Sequence, residues 1–241
     1  MDPSLWVIHC RDAGHLAGEA ARCVVDDVVR ASPRPLTLAL SGGRICQQFY
    51  PVLVTENGRR SGALGGGHFY WADERCVPPD HAESNYRVAE DLLLRPLRVP
   101  AENVHRLRGE EPPETAVARA RAELEAVLVR DAHGAPLLDL VILGMGEDGH
   151  VASLFPENLA RDVARPDWVF ATTGPKPPTQ RLTMGFQVLA AARRVLVLVS
   201  GTGKTDALAG SLAETAGTPL AHLFSVRRGR ETAVRHDLAR A

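Results

Sequence analysis

Alternation constrains this chain more than any other feature. Short runs of Val, Ile, Leu and aromatic residues, at 6–10, 36–41, 68–71, 138–143, 168–171 and 195–200, read as strands. Helical patterns lie between them. The clearest spans 15–30, where Leu16/Ala17, Ala20/Ala21, Val24/Val25 and Val28/Val29 recur every four residues on one face, and 116–130 and 204–212 continue the series. Strand followed by helix favours parallel crossovers, and the almost unbroken apolar runs at 138–143 and 195–199 suit central strands covered on both faces. The expectation is one α/β domain over residues 1–241, a doubly wound, mostly parallel, Rossmann-like sheet with helices on both faces. The glycine-rich stretch 62–67 and the stretch 110–114 with Pro112 and Pro113 read as surface loops.

Charge narrows the function classes. The formal net charge is −1 and the pI about 6.8, which argues against a nucleic-acid or membrane-surface binder. Of the 28 basic residues only Lys176 and Lys204 are lysines. The Arg-rich tail 227–240 carries five Arg against Glu231 and Asp237 and reads as a solvated segment. Residues 1–10 lack a signal-peptide pattern and no apolar run suggests a membrane span, so a cytoplasmic protein is expected. Cys10, Cys23, Cys46 and Cys76 are widely spaced without a CxxC pair and read as free thiols, with no metal site.

In an open parallel sheet, ligands gather outside the carboxyl ends of the strands, so the loops after the strands are where chemistry is expected. After the second strand comes Ser41-Gly42-Gly43-Arg44, running into a predicted helix. Glycines let backbone N–H groups approach an anion and the helix adds its positive end, which suits a phosphate cradle; a tight turn that simply needs glycine fits equally well. A serine-hydrolase elbow is disfavoured because Ala39 stands where its first Gly is required.

The third strand ends in Asp73-Glu74-Arg75, charges that are expensive to bury unless paired or bound to ligand. Arg75 could clamp an oxyanion; Ser84 reads as the cap of the next helix. The run from Gly144 to Pro156 delivers Asp148 and His150 from a glycine-rich loop, and the residues that follow read as the start of a short helix. A His at a helix N-terminus is held neutral and can serve as a general base. Finally, a proline-bounded loop around Lys176 leads to Arg181, read as opening a helix, and Gly201-Thr202-Gly203-Lys204 opens another. The latter is no P-loop, since Leu198 occupies the position of its first Gly, but Lys204 is placed to neutralise a phosphate.

Taken together, Leu40-Ser41-Gly42-Gly43, Asp73-Glu74-Arg75-Cys76-Val77-Pro78-Pro79 with Ser84-Asn85, the 144–156 segment with its Asp148-Gly149-His150 and Ser153-Leu154-Phe155-Pro156, Pro175 to Pro178 with Arg181, and Gly201 to Lys204 resemble the 6-phosphogluconolactonase family, within the larger group that includes glucosamine-6-phosphate deaminases. The resemblance implies cofactor-free hydrolysis of 6-phospho-D-glucono-1,5-lactone in the oxidative pentose phosphate pathway; a monomer is expected. The resemblance also implies that His150 activates water, Asp148 orients it, Ser41, Gly42, Gly43, Arg181 and Lys204 hold the phosphate, and Asp73 and Arg75 face the sugar and the developing charge; Arg44, beside the cradle, could add a phosphate contact or point to solvent. The deaminase relatives follow Asp-Glu with Tyr and carry Glu five residues beyond the His, where this chain has Arg75 and Phe155. Departures from the family pattern include Arg44 for Ser and Val151 for Thr. The competing expectations are a sugar-phosphate binding protein with altered catalysis and a deaminase-like isomerase.

Overall fold

The structure is a computed structural model describing residues 2–60, 62–215 and 217–239. Ten strands are present among them: β1 (Leu5–His9), β2 (Thr37–Leu40), β3 (His68–Trp71), β4 (Asp73–Arg75), β5 (Val104–His105), β6 (Leu140–Gly144), β7 (Val169–Thr173), β8 (Gln180–Met184), β9 (Arg194–Val199) and β10 (Thr232–His236). Seven form a sheet in the order β1-β10-β9-β6-β2-β3-β5, and every pairing in it is parallel. All six residues of β9 and the first four of β6 are buried, so both faces of the sheet centre are covered, as their unbroken apolar runs require. Each fully buried Val or Leu contributes roughly 1.5–3 kcal/mol. These two strands therefore form a stiff floor for the loops at their carboxyl ends.

The helix Ala13–Ala31 follows the predicted period: Leu16, Ala17, Ala20, Ala21, Val24, Val25 and Val28 are buried, Val29 alone is exposed, and Asp12 caps the first turn by accepting from the His15 N–H. From β2 the order runs outward through β3 and β5, whereas β6, β9 and β10 run outward on its other side. The order thus reverses between β2 and β6, and the loops leaving these two strands part there to open a crevice.

Four local expectations are corrected. The Asp73-Glu74-Arg75 segment does not end the third strand: it is β4, the edge of a separate antiparallel sheet in the order β4-β8-β7. Arg181 does not open a helix but lies in β8, directly opposite Arg75. His150 does not sit at a helix N-terminus. Turns and isolated bridges follow it, and the next helical turn begins only at Pro156. The C-terminal tail is not solvated over its length, because β10 lies between β1 and β9 and buries Arg235, while Arg227 is 1% exposed and donates to the carbonyls of Leu189, Ala190, Ala192 and Glu231. Burial pushes the Arg227 guanidinium down to about 10. Arg240 of that tail lies outside the described residues. Of the two predicted loops, 62–67 contains the turn Ala63–Gly66 with Leu64 buried, and Pro113 already begins the helix Pro113–Val127. The four cysteines are free thiols, Cys10 and Cys46 buried.

Candidate active site

The chain leaves β2 through Ser41, Gly42 and Gly43 and enters the helix Arg44–Arg60. Glycine is needed here for a steric reason: a Cβ on residue 42 would lie 1.7 Å from Asn85 Oδ1. Asn85 occupies that space because its Nδ2 donates to Asp73 O at 2.9 Å and to Asp73 Oδ1 at 3.3 Å. Ser41 Oγ, in contrast, is buried with no hydrogen-bond partner. An unmatched hydroxyl beside two glycines suits an anion better than a purely structural turn does.

Glu74 explains how Asn85 comes to be there. It is 2% exposed and accepts from the backbone N–H groups of Arg75, Asn85 and Tyr86 at 2.7–2.8 Å and from Ser84 Oγ at 3.1 Å. Burial pushes its carboxyl up to about 6 against the pull of those N–H groups. Ser84 caps the helix Asn85–Ala89 through the Arg87 N–H, as its position before that helix predicted. One buried carboxylate thus fastens this helix to β4, and Asn85 projects toward β2 as a result.

The register of the small sheet sets two guanidinium groups opposite each other, Arg75 in β4 and Arg181 in β8. Like charges across a strand pair are unfavourable. Arg75 Nη1 donates to Glu83 O at 2.6 Å and to Glu83 Oε2 at 3.3 Å, while its Nε is buried and unpartnered. Among the described residues the hydrogen-bond partners of the Arg181 side chain are carbonyls, Pro178 O at 2.8 Å and Lys176 O at 3.2 Å. Burial and then the Arg75 charge hold the Arg181 guanidinium below its ordinary pKa.

On the opposite wall, Lys204 stands just ahead of the helix Thr205–Leu212. Burial, followed by the nearby Arg44 charge, lowers its ammonium pKa. Among the described residues no carboxylate comes within ion-pair distance of Arg44, Arg181 or Lys204.

The loop after β6 carries the acid–base pair. His150 Nδ1 lies 2.6 Å from Asp148 Oδ1, which also accepts from the His150 backbone N–H at 3.1 Å. Burial would raise the Asp148 carboxyl, but the hydrogen bond and charge of His150 outweigh it and hold it below the usual value. This contact, rather than a helix dipole, sets the tautomer: with Nδ1–H donating to the carboxylate, Nε2 keeps its lone pair. Gly146 makes the pairing possible, since a Cβ there would lie 2.0 Å from His150 Nδ1. The Phe155 ring packs against the imidazole with centroids 4.9 Å apart.

A cavity of about 140 Å³ brings together Ser41, Gly42, Gly43, Arg44, Asp73, Arg75, His150, Arg181 and Lys204. Asp148 does not line it; it lines an adjoining chamber of about 570 Å³, which His150, Glu147, Phe155 and Lys176 share. Both lysines of the chain therefore face this one region. Asn85, Met145 and Ser200 also line the smaller cavity and had no role from sequence. Asn85 was signalled only indirectly, by the need of Asp73 and Glu74 for buried donors. Ser200, whose Oγ donates to Asp237 at 2.7 Å, had no local signal because its partner is distant in sequence.

A family model described as glucosamine-6-phosphate isomerases/6-phosphogluconolactonase matches residues 11–233. The 6-phosphogluconolactonase of Treponema pallidum (strain Nichols) is 38% identical over 174 residues, 72% of this chain and 71% of that protein. The chloroplastic 6-phosphogluconolactonase 3 of Arabidopsis thaliana is 36% identical over 158 residues, 63% of this chain and 49% of its own, so the match spans about half of that relative. The solved structure of 6-phosphogluconolactonase from Trypanosoma cruzi is 25% identical with a TM-score of 0.84, covering 98% of this chain and 95% of that one. The chain belongs to the glucosamine-6-phosphate isomerase/6-phosphogluconolactonase family.

Proposed function

We propose that the protein hydrolyses 6-phospho-D-glucono-1,5-lactone to 6-phosphogluconate, the lactone step of the oxidative pentose phosphate pathway. The observation that carries this reading is an Asp148-bound His150 on the wall of a cavity where Arg44, Arg181 and Lys204 have no carboxylate within ion-pair distance among the described residues. A lactone is an activated ester and needs a positioned water more than a covalent nucleophile.

His150 Nε2 takes a proton from water as its oxygen attacks C1. The carbonyl becomes an oxyanion facing Arg75, the C1–O5 bond then breaks, and His150 returns the proton to O5. Asp148 keeps the imidazole oriented and stabilises the imidazolium between these steps. Ser41, Gly42 and Gly43 receive the phosphate together with Arg44, Arg181 and Lys204, and Asp73 accepts from sugar hydroxyls. The apolar Phe155 beside His150 supports hydrolysis over amino-sugar isomerisation, which calls for a further carboxylate to handle the ring-opening proton.

The same reading has the protein acting as a cytoplasmic monomer, with a light-scattering mass of 26.0 kDa as the expected outcome. Among the described residues no helix is long and apolar enough to cross a membrane. The activity is tested by following lactone disappearance with wild type and His150→Ala, after subtracting spontaneous hydrolysis. Acceleration by wild type alone is expected; equal rates would remove His150 from the mechanism.

A further inference from the structure

We propose that Ser153 is a positioning residue for the hydrolysis, holding the His150 loop against the small sheet that carries Arg75 and Arg181. The inference rests on the reading of His150 as the base.

Ser153 is completely buried, and its two hydrogen bonds go to two different strands. Its Oγ donates to Asp73 Oδ2 at 2.7 Å and its backbone N–H donates to Thr183 Oγ1 at 3.2 Å. Asp73 and Thr183 are direct partners across β4 and β8, two residues from the Arg75–Arg181 pair in the same register. A single residue thus spans the seam between the loop that carries the base and the strands that carry both guanidinium groups.

The loop does not supply this attachment itself. Its other hydrogen bonds close within it, from Gly146 N to His150 O, Gly149 N to Gly146 O and Leu154 N to Val151 O, or reach Leu220 on the far side. Between His150 and Ser153 the backbone also passes through Ala152 at φ +50°, a left-handed conformation that costs energy for a residue with a Cβ. Such a conformation persists only where its flanks are held. On the side of the small sheet, the hydrogen-bonded part of that hold is Ser153. The Ser153 bond occupies Asp73 Oδ2 while Asn85 takes Oδ1, so Asn85 still holds the Asp73 carboxylate on the cavity wall when the hydroxyl is removed.

Ser153→Ala removes one hydroxyl with no change of backbone and no added volume. The expected result is a kcat lowered about tenfold, because small misplacement of a catalytic group is costly, with an unchanged KM and an unchanged inhibition constant for 6-phosphogluconate. Ser153→Thr, which restores the hydroxyl, recovers most of that kcat. A purely structural role would lower the melting temperature without this split between kcat and KM. Should Ser153→Ala fail to fold, Ser153→Cys, which keeps the volume and weakens the donor, decides by the same criterion. Wild-type kcat in the folded variant, or kcat and KM worsening together, would overturn the proposal. If His150→Ala is inactive while Ser153→Ala keeps the wild-type kcat, this inference alone fails; equal rates for wild type and His150→Ala would defeat the reading beneath it.

Discussion

At the amino end of the parallel sheet, Asp139 receives both Nη atoms of Arg34 at 2.6 and 2.9 Å, the Thr37 N–H and hydroxyl, and Arg193 at 3.3 Å. Nearby, Asp27 pairs with Arg30 and Arg194, each at 2.8 Å, and Arg194 reaches Glu231 at 3.3 Å. At the carboxyl end, Arg44, Arg181 and Lys204 face a cavity with no carboxylate in ion-pair reach among the described residues, and Ser41 Oγ is buried unmatched. Both ends are rich in charge, yet only at the first is every one of these cations paired with a carboxylate. Folding alone favours the first arrangement, because a cation without a counter-charge that is buried or half-buried, as Arg181 and Lys204 are, destabilises the fold; Arg44 is exposed. The second arrangement is therefore better explained by a ligand than by stability.

That contrast can be broken by substitution. The largest expected effect is at the carboxyl end, where His150→Ala lowers kcat about 10²- to 10⁴-fold with an unchanged melting temperature. Steady-state kinetics beside a thermal melt checks both halves. Gly42→Ala comes next: its Cβ would collide with Asn85 Oδ1, so activity should fall by about an order of magnitude or more and stability by about 1–3 kcal/mol, read from urea unfolding.

Asp139→Ala inverts the pattern. It strands Arg34, Arg193 and Thr37 and should cost about 2–3 kcal/mol while leaving kcat per folded molecule unchanged. The pH dependence has a definite sign. Burial would raise the Asp139 carboxyl, but the Arg34 and Thr37 hydrogen bonds hold it below its ordinary value, so its stabilisation is present above the unfolded pKa and lost as pH falls through the folded one. In wild type an acid-unfolding arm should appear below about pH 4 and flatten in Asp139→Ala.

The smallest effect concerns Lys204. Its lowered pKa means that the free enzyme loses this charge at lower pH than an ordinary lysine would. The alkaline limb of kcat/KM should therefore fall early and move to higher pH in Lys204→Arg, whose charge persists. An alkaline limb that is identical in the two proteins would separate Lys204 from substrate binding.

The sequence was most legible where structure is local. The β6 and β9 runs and the 13–31 helix declare themselves by period, and the loops after β2 and β6 follow from the rule for parallel sheets. It was least legible where the partner is remote. β4 is three charged residues long, and only pairing with β8 a hundred residues later makes it a strand. Arg181 was obscured by the prolines before it. Arg227 looked solvated because its partners are mostly carbonyls of the 189–192 segment, which no charge pattern reveals. For His150 the residue and its Asp148 partner were legible, but the Gly146 that admits their contact shows its role only in three dimensions.

Calorimetric titration with 6-phosphogluconate tests the contrast most directly, applied to wild type, Lys204→Ala and Arg34→Ala together with their melting temperatures. We predict that Lys204→Ala weakens binding about tenfold or more without lowering the melting temperature, and that Arg34→Ala lowers the melting temperature without changing the affinity. Equal affinities for wild type and Lys204→Ala, or a loss of affinity in Arg34→Ala, would contradict the assignment of the unmatched cations to a phosphosugar site.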